Sequence, residues 1–184
     1  MARTFAPTAR RLGAGGKICP NEPLGHALGR SRGGWGSKIH LISDSHGLPL
    51  AVEITAGQAQ ECKHFDTVLD TIPPPRGVGW PRQRPGAMAG DKGYSYTHVR
   101  QWLRQKGIRA VTAQRKDQCR RHRGRPLKFC REEYRRRNVV ERTAGWLKER
   151  RRIATRYEKL ALRFRAMLHL AMIECYLQRF ANTA

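Results

Sequence analysis

Acidic residues are scarce in this chain: 14 Asp and Glu stand against 37 Lys and Arg, giving a formal charge of +23 and a pI near 11.2. A field that positive repels its own chain unless a polyanion offsets it, which leaves DNA, RNA or an anionic membrane as partners. Long apolar runs are missing too. No stretch reaches the roughly 18 apolar residues of a membrane span, so the membrane is the weakest of the three. The Arg-rich N-terminus lacks the apolar segment of a secretory signal; a transit peptide over residues 1–17 is the other reading of that composition. The five cysteines, at 19, 62, 119, 130 and 175, are odd in number and contain no C-x-x-C. That excludes an obvious disulfide framework and makes reduced thiols the default. Cys119, His122 and Cys130 fit no common zinc spacing and lack an evident fourth ligand.

With 184 residues, the chain is long enough for one domain with a core of its own. Residues 1–37 are rich in Gly, Arg and Pro without a clear period and read as a basic arm or loop. Order begins at K-I-H-L-I-S-D (38–44), followed by the turn residues Asp44-Ser45-His46-Gly47. Leu48, Leu50, Val52 and Ile54 then recur at period two. Together these predict a β-hairpin. Phe65, Val68, Leu69 and Ile72 form the stripe of a helix, which Pro73-Pro74-Pro75 ends. A short apolar run, Ala87-Met88-Ala89, predicts a strand with Asp91 at its C-terminal end. A helix over 96–106 follows, with Val99, Trp102 and Leu103 inward, then a strand over 108–114 and a basic linker over 115–130. From about 132 the pattern is helical nearly to the end. Strands alternating with helices indicate an α/β domain over 38–180.

The segment Tyr134–Lys148 carries the most chemistry. Taking Tyr134 as zero and advancing about 100° per residue, Arg137, Glu141 and Lys148 all fall within an arc of roughly 60° beside it. Val140, Ala144 and Leu147 lie next to that arc and can pack on a sheet. A phosphodiester approaching Glu141 needs a cation between two like charges, while Arg137 and Lys148 are placed to hold phosphates. The plainer reading of the same spacing is a solvated basic helix in which Glu141 pairs with a neighbouring arginine.

The spacing Y-x2-R-x3-E-x6-K resembles the signature around the last acid of bacterial insertion-sequence transposases of the DDE class. So do R-N-V-V-E-R and R-R-I-A-T-R-Y-E-K-L-A around it, and, upstream and in order, H-A-L-G-R-S-R-G-G, K-I-H-L, G-L-P-L and D-K-G-Y. The resemblance runs from about residue 10 to about residue 175. It implies an RNase H-like mixed sheet with flanking helices and a triad of two Asp and one Glu. Such a triad binds divalent ions, normally Mg²⁺ with Mn²⁺ as substitute, for cleavage and strand transfer of DNA. Asp91 matches the second Asp and Glu141 the Glu, as catalytic and metal-binding residues. Tyr134, Arg137 and Lys148 match accessory DNA-binding residues. The partners implied are transposon ends and target DNA, and the location cytoplasmic and nucleoid-associated.

The chain departs from this pattern at the first Asp. Counting back from R-R-L-G-A-G-G places that residue at or just before Met1, so the first, central strand is expected to be missing. Asp44 is an alternative, but D-S-H-G suits a hairpin turn better. His40 and His46 read as strand-surface and turn residues. The chain by itself is therefore expected to be inactive, as a degraded copy or as the second frame of an element whose upstream product supplies the rest.

Residues 115–166 contain 20 Lys and Arg and 6 Asp and Glu. Arg120, Arg121, Arg123, Arg125 and Lys128 precede the Tyr134–Lys148 segment, and R-G-R-P at 123–126 is either a plain basic loop or the core of a minor-groove reader. Arg150, Arg151 and Arg152 extend the patch, unless they form a solvated face. Trp146 is either core or a DNA contact. The apolar last helix reads as core first and as a self-association surface second. Three functions compete: a phosphoryl-transfer enzyme, a non-catalytic DNA-binding remnant of one, and an unrelated basic RNA-binding protein. The hairpin, D-K-G-Y and the Tyr134–Lys148 pattern argue against the last.

Overall fold

A computed structural model describes residues 2–5, 25–31, 34–72, 85–121 and 129–182, with only the backbone at 2–5 and 119–121. The expected hairpin is present as β3 (Gly34–Ser43) and β4 (Pro49–Ala56). Its turn is fastened by Asp44, whose Oδ1 accepts from the amides of His46 and Leu48, each at 2.8 Å. Gly47 stands at φ +94°, the left-handed conformation that a tight turn requires and that glycine adopts without strain.

Residues Ile39–Ile42 pair antiparallel with β4 on one edge and with β1 (Ala2–Phe5) on the other. β1 in turn runs parallel to β5 (Ala87–Gly90), through the single register pair Ala2–Gly90, and β5 runs parallel to β6 (Arg109–Thr112). The main sheet is thus ordered β4–β3–β1–β5–β6, with β2 (Gly29–Ser31) pairing with the first residues of β3. Two expectations are corrected here. Residues 1–37 are not loop throughout, because they hold β1, β2 and the start of β3. The interior of the sheet does not lack a strand, because Ala2–Phe5 fills the place between β3 and β5. The four residues A-R-T-F show no alternation over a useful length, so only their neighbours reveal them as a strand.

The alternation of β3 feeds two cores. Ile39 and Leu41, with Val52 and Ile54, face α5 (Asn138–Glu149), α6 (Arg151–Ala154) and α7 (Ala161–Ala181), burying Val140, Ala144, Leu147, Ile153, Phe164 and Leu168. Ile42 and Ala51 face the other way, towards α1 (Phe65–Asp70) and α2 (Thr97–Gln105), with Phe65, Val68, Met88, Tyr94, Val99 and Leu103. Period two in the strands and period 3.6 in the helices produce both layers. His40 lies between Ile39 and Leu41 and is buried, which corrects the strand-surface expectation. It is 1 % exposed, bonded to Thr55 Oγ1 at 2.9 Å, with the His64 ring 5.5 Å away.

The helical run after 132 is broken. The segment expected as a basic linker over 115–130 holds a short helix, α3 (Lys116–Arg121), and the run itself opens with the short helix α4 (Arg131–Arg135), which joins α5 through a tight turn at Arg136 and Arg137. Arg150 is extended, and residues 155–160 separate α6 from α7. One side chain holds that last break in place. Arg156, 6 % exposed, donates to the carbonyls of His26, Glu158 and Lys159 at 2.5, 2.8 and 2.8 Å, to Ala27 O at 3.4 Å, and to Ser37 Oγ. It ties H-A-L-G and T-R-Y-E-K, distant in sequence, to the first residues of β3.

Candidate active site

β5 is short, with Met88 and Gly90 buried, and delivers Asp91 at its C-terminal end. There Asp91 caps a 3-10 turn over Lys92–Tyr94, its Oδ1 accepting from Lys92 N at 2.7 Å. Tyr94 anchors the turn, 2 % exposed and with its ring 5.7 Å from that of Phe65. This explains locally why Asp91 is followed by K-G-Y: the tyrosine fixes the turn, and the turn leaves Asp91 half-exposed at the strand end.

Glu141 sits on α5, whose inner face of Val140, Ala144 and Leu147 is that expected from the sequence. α5 lies against β1 and β3, and α4 against β5 and β6. The Glu-bearing helix and the Asp-bearing strand therefore both adjoin β1. Around Glu141 the structure brings together two of the three expected neighbours. Arg137 Nη1 pairs with Glu141 Oε1 at 2.8 Å, and its guanidinium lies 5.3 Å from the Tyr134 ring. This is the ion pair that the plainer reading of the helix anticipated. Arg137 Nε, buried, has no hydrogen-bond partner among the described residues, so the same guanidinium retains a donor. Lys148 stands in the last turn of α5, about two turns from Glu141. Arg151 is exposed at the start of α6. Arg123, Arg125, Lys128, His122 and the R-G-R-P motif lie outside the described residues, as do the side chains of Cys119, Arg120 and Arg121.

The register separates Asp44 from this site. Ala2 stands opposite both Ile42 and Gly90. Asp91 is one step beyond Ala2 along β1 and Asp44 two steps behind it, three steps or roughly 10 Å apart along the strands, with β1 and a further strand spacing between them. Asp44 is a turn residue. Arg150 also departs from the expected basic patch, because it pairs with Glu174 at 2.5 Å and lies 3.4 Å from the centre of the Trp146 ring. Trp146 is partly buried against the first core.

Other contributors were not legible in advance. Arg115, just after β6, donates to Lys92 O at 3.2 Å and to Tyr96 Oη at 2.9 Å, holding the Asp91 turn and adding positive charge to the rim. Thr143 donates to Gly47 O at 2.7 Å and fastens α5 to the hairpin turn. Phe129, half-exposed, lies 5.3 Å from the Tyr134 ring beside a cleft of 470 Å³ lined by Arg109, Cys130 and Glu133. Only knowledge of where β6 ends and where the turn docks would single these residues out.

Among the described residues there is no group of three or more His, Cys, Asp or Glu able to hold an ion. The described side chains therefore do not complete a divalent-ion site, and β1 (A-R-T-F) adds no carboxylate to it. Comparison with known proteins gives the context. The transposase DDE domain family matches residues 4–174. The chain belongs to that family. It is 37% identical over 127 residues to a Burkholderia cepacia protein described as a transposase for insertion sequence element IS402. That match takes in 68% of this chain and 56% of the relative, so the chain spans little more than half of the curated protein it matches. No solved structure matches. Among the described residues, no helix is long and apolar enough to cross a membrane.

Proposed function

We propose that this transposase-family chain acts on DNA in transposition, in a protein that cleaves phosphodiester bonds and transfers strands, with Asp91 and Glu141 as two of its acids. The observation that carries the proposal is the convergence of the Asp91 strand end and the Glu141 helix on β1, with Arg137 and Tyr134 beside Glu141. The strand order β4–β3–β1–β5–β6, antiparallel and then parallel, supports reading the domain as RNase H-like. Arg137 and Lys148, with Arg151 and the arginines at 123 and 125, bind the DNA backbone through its phosphates. Binding is then driven by counterion release and falls steeply with salt. A divalent ion, Mg²⁺ or Mn²⁺, would supply the charge that lets a phosphodiester approach two carboxylates, and it needs ligands beyond these two acids.

A second reading, a DNA-binding remnant that does not cut, is favoured by the lack of an acid in β1. Both readings predict that the chain alone binds DNA without cleaving it. They differ over a restored acid, because Ala2 stands in register with Gly90, immediately before Asp91. The test incubates the full chain and its Ala2→Asp variant with DNA carrying the element's ends and Mg²⁺ or Mn²⁺. The transposase reading expects nicking in Ala2→Asp that is lost on adding Asp91→Ala or Glu141→Gln, with DNA binding retained. Binding without nicking in every variant gives the remnant reading, and an absence of DNA binding at low salt sinks both.

A further inference from the structure

α7 is apolar on two faces. Its inner face, Phe164, Leu168 and Ala171, is buried against β4 and the first core. Its outer face carries Leu162, Leu170, Ile173 and Leu177, exposed by 73, 58, 54 and 63 %. A surface helix ordinarily has one apolar stripe, and a helix apolar all round is one covered on both sides. The outer residues are also ordered. At about 100° per residue, Ala166, Leu170, Ile173 and Leu177 fall within an arc of roughly 60°. The steps between them are four, three and four residues, the alternation of a helix-pairing seam. Every residue from Leu177 to Asn182 is exposed, although a helix end of this kind gains most of its stability from packing.

We infer that this face pairs with the same face of a second copy of the chain, the two α7 helices running antiparallel. The pattern is self-complementary. A two-fold axis between Ala171 and Met172 sets Leu170 against Ile173 and Ala166 against Leu177, so a small side chain meets a large one, as an isologous interface requires. The four central residues carry no charge. Beside them, Glu174 is neutralised within its own chain by Arg150, so a protein of charge +23 brings no net repulsion to the centre of the contact. The exposed apolar side chains leave on the order of 400 Å² on each copy, the size of the largest patch on a typical monomer. With Leu162, Arg163 and His169 at the margins, pairing covers about 1,000–1,200 Å² in total, the lower range of a specific interface.

The test is sedimentation of the full chain, free of nucleic acid, at micromolar concentration in high salt with reductant. High salt screens the self-repulsion of the chain and removes DNA-bridged association. The expected result is twice the 21.0 kDa chain mass. The paired substitution Ile173→Glu with Leu177→Glu should give the single-chain mass with the circular dichroism of a folded chain, since both residues lie outside the core, and a lower melting temperature that no longer depends on protein concentration. A single-chain mass for the unsubstituted protein overturns the inference. So does a double mass that survives both substitutions, or association seen only when DNA is present.

Discussion

Replacing Arg156 with alanine removes a side chain that joins three separate segments. The guanidinium makes three bonds to carbonyl oxygens at 2.5–2.8 Å, a longer one to Ala27 O and one to Ser37 Oγ, and it lies 5.3 Å from the Phe164 ring. Burial pulls its pKa below the ordinary arginine value, but a guanidinium is so strong a base that it remains charged at neutral pH. Each bond from a charged donor contributes about 1 kcal/mol or more net, and the stem packs as well. Losing the group leaves the His26 and Lys159 carbonyls without this donor. The cost should be about 3–5 kcal/mol, a large part of the 5–15 kcal/mol typical of a domain. Arg156→Lys keeps the charge but reaches fewer acceptors, and should recover only part of it. Urea titration of the full chain by circular dichroism measures the cost, and hydrogen exchange at the amides of residues 25–31 localises it. An Arg156→Ala variant within about 1 kcal/mol of the parent, with those amides equally protected, would refute the clamp.

Two further outcomes follow from buried groups. Burial, with the nearby His64 and Lys38, lowers the His40 pKa from 6.5 to about 4, so the unfolded chain binds the proton first as pH falls. The stability due to neutral His40 is complete above about pH 6.5 and is lost between there and about pH 4, by on the order of 3 kcal/mol. His40→Asn should flatten the wild-type slope of stability against pH in that window, and an unchanged slope would place the titration elsewhere. At Gly57, a Cβ would meet Gly29 O at 2.8 Å and Gly36 O at 2.9 Å. Both are backbone atoms that cannot swing away, so Gly57→Ala should destabilise by about 1–3 kcal/mol in thermal melts, and a neutral effect would show that the β2–β3–β4 junction yields.

The parts of the fold that announce themselves are those with a long enough period. Ile39, Leu41, Val52 and Ile54 of the hairpin, Val99 and Leu103 of α2 and the inner face of α5 are buried where their spacing places them, because each element sets several apolar side chains on one side; Leu50, selected by the same alternation, is exposed beside the turn. Asp91 and Glu141 stand out in the sequence through the resemblance carried by D-K-G-Y and Y-x2-R-x3-E-x6-K, and the short apolar strand and the apolar helical stripe give each only its place in an element. β1 was not legible, since four residues are too few for alternation and their strand state depends on β3 and β5. The break at Arg150 hides within a helix-favouring run, and its cause, the pairing with Glu174 and Trp146, is tertiary. The same holds for His40, which lies beside the ring of His64 in the 3-10 turn Glu61–His64, and for Arg156, one arginine among many until its acceptors are seen.

The short reach of β1 has a mechanical consequence. Asp91 belongs to a β5–β6 ladder whose only register pair with β1 is Ala2–Gly90, whereas Glu141 rides on a helix packed against β3 and β1. The two acids thus sit on opposite sides of a seam four residues long. Sliding that strand by one position would shift one carboxylate past the other by about 3.3 Å, roughly the length of a hydrogen bond. Whatever fixes the register of Ala2–Phe5 sets how the Asp91 and Glu141 carboxylates are aligned with each other.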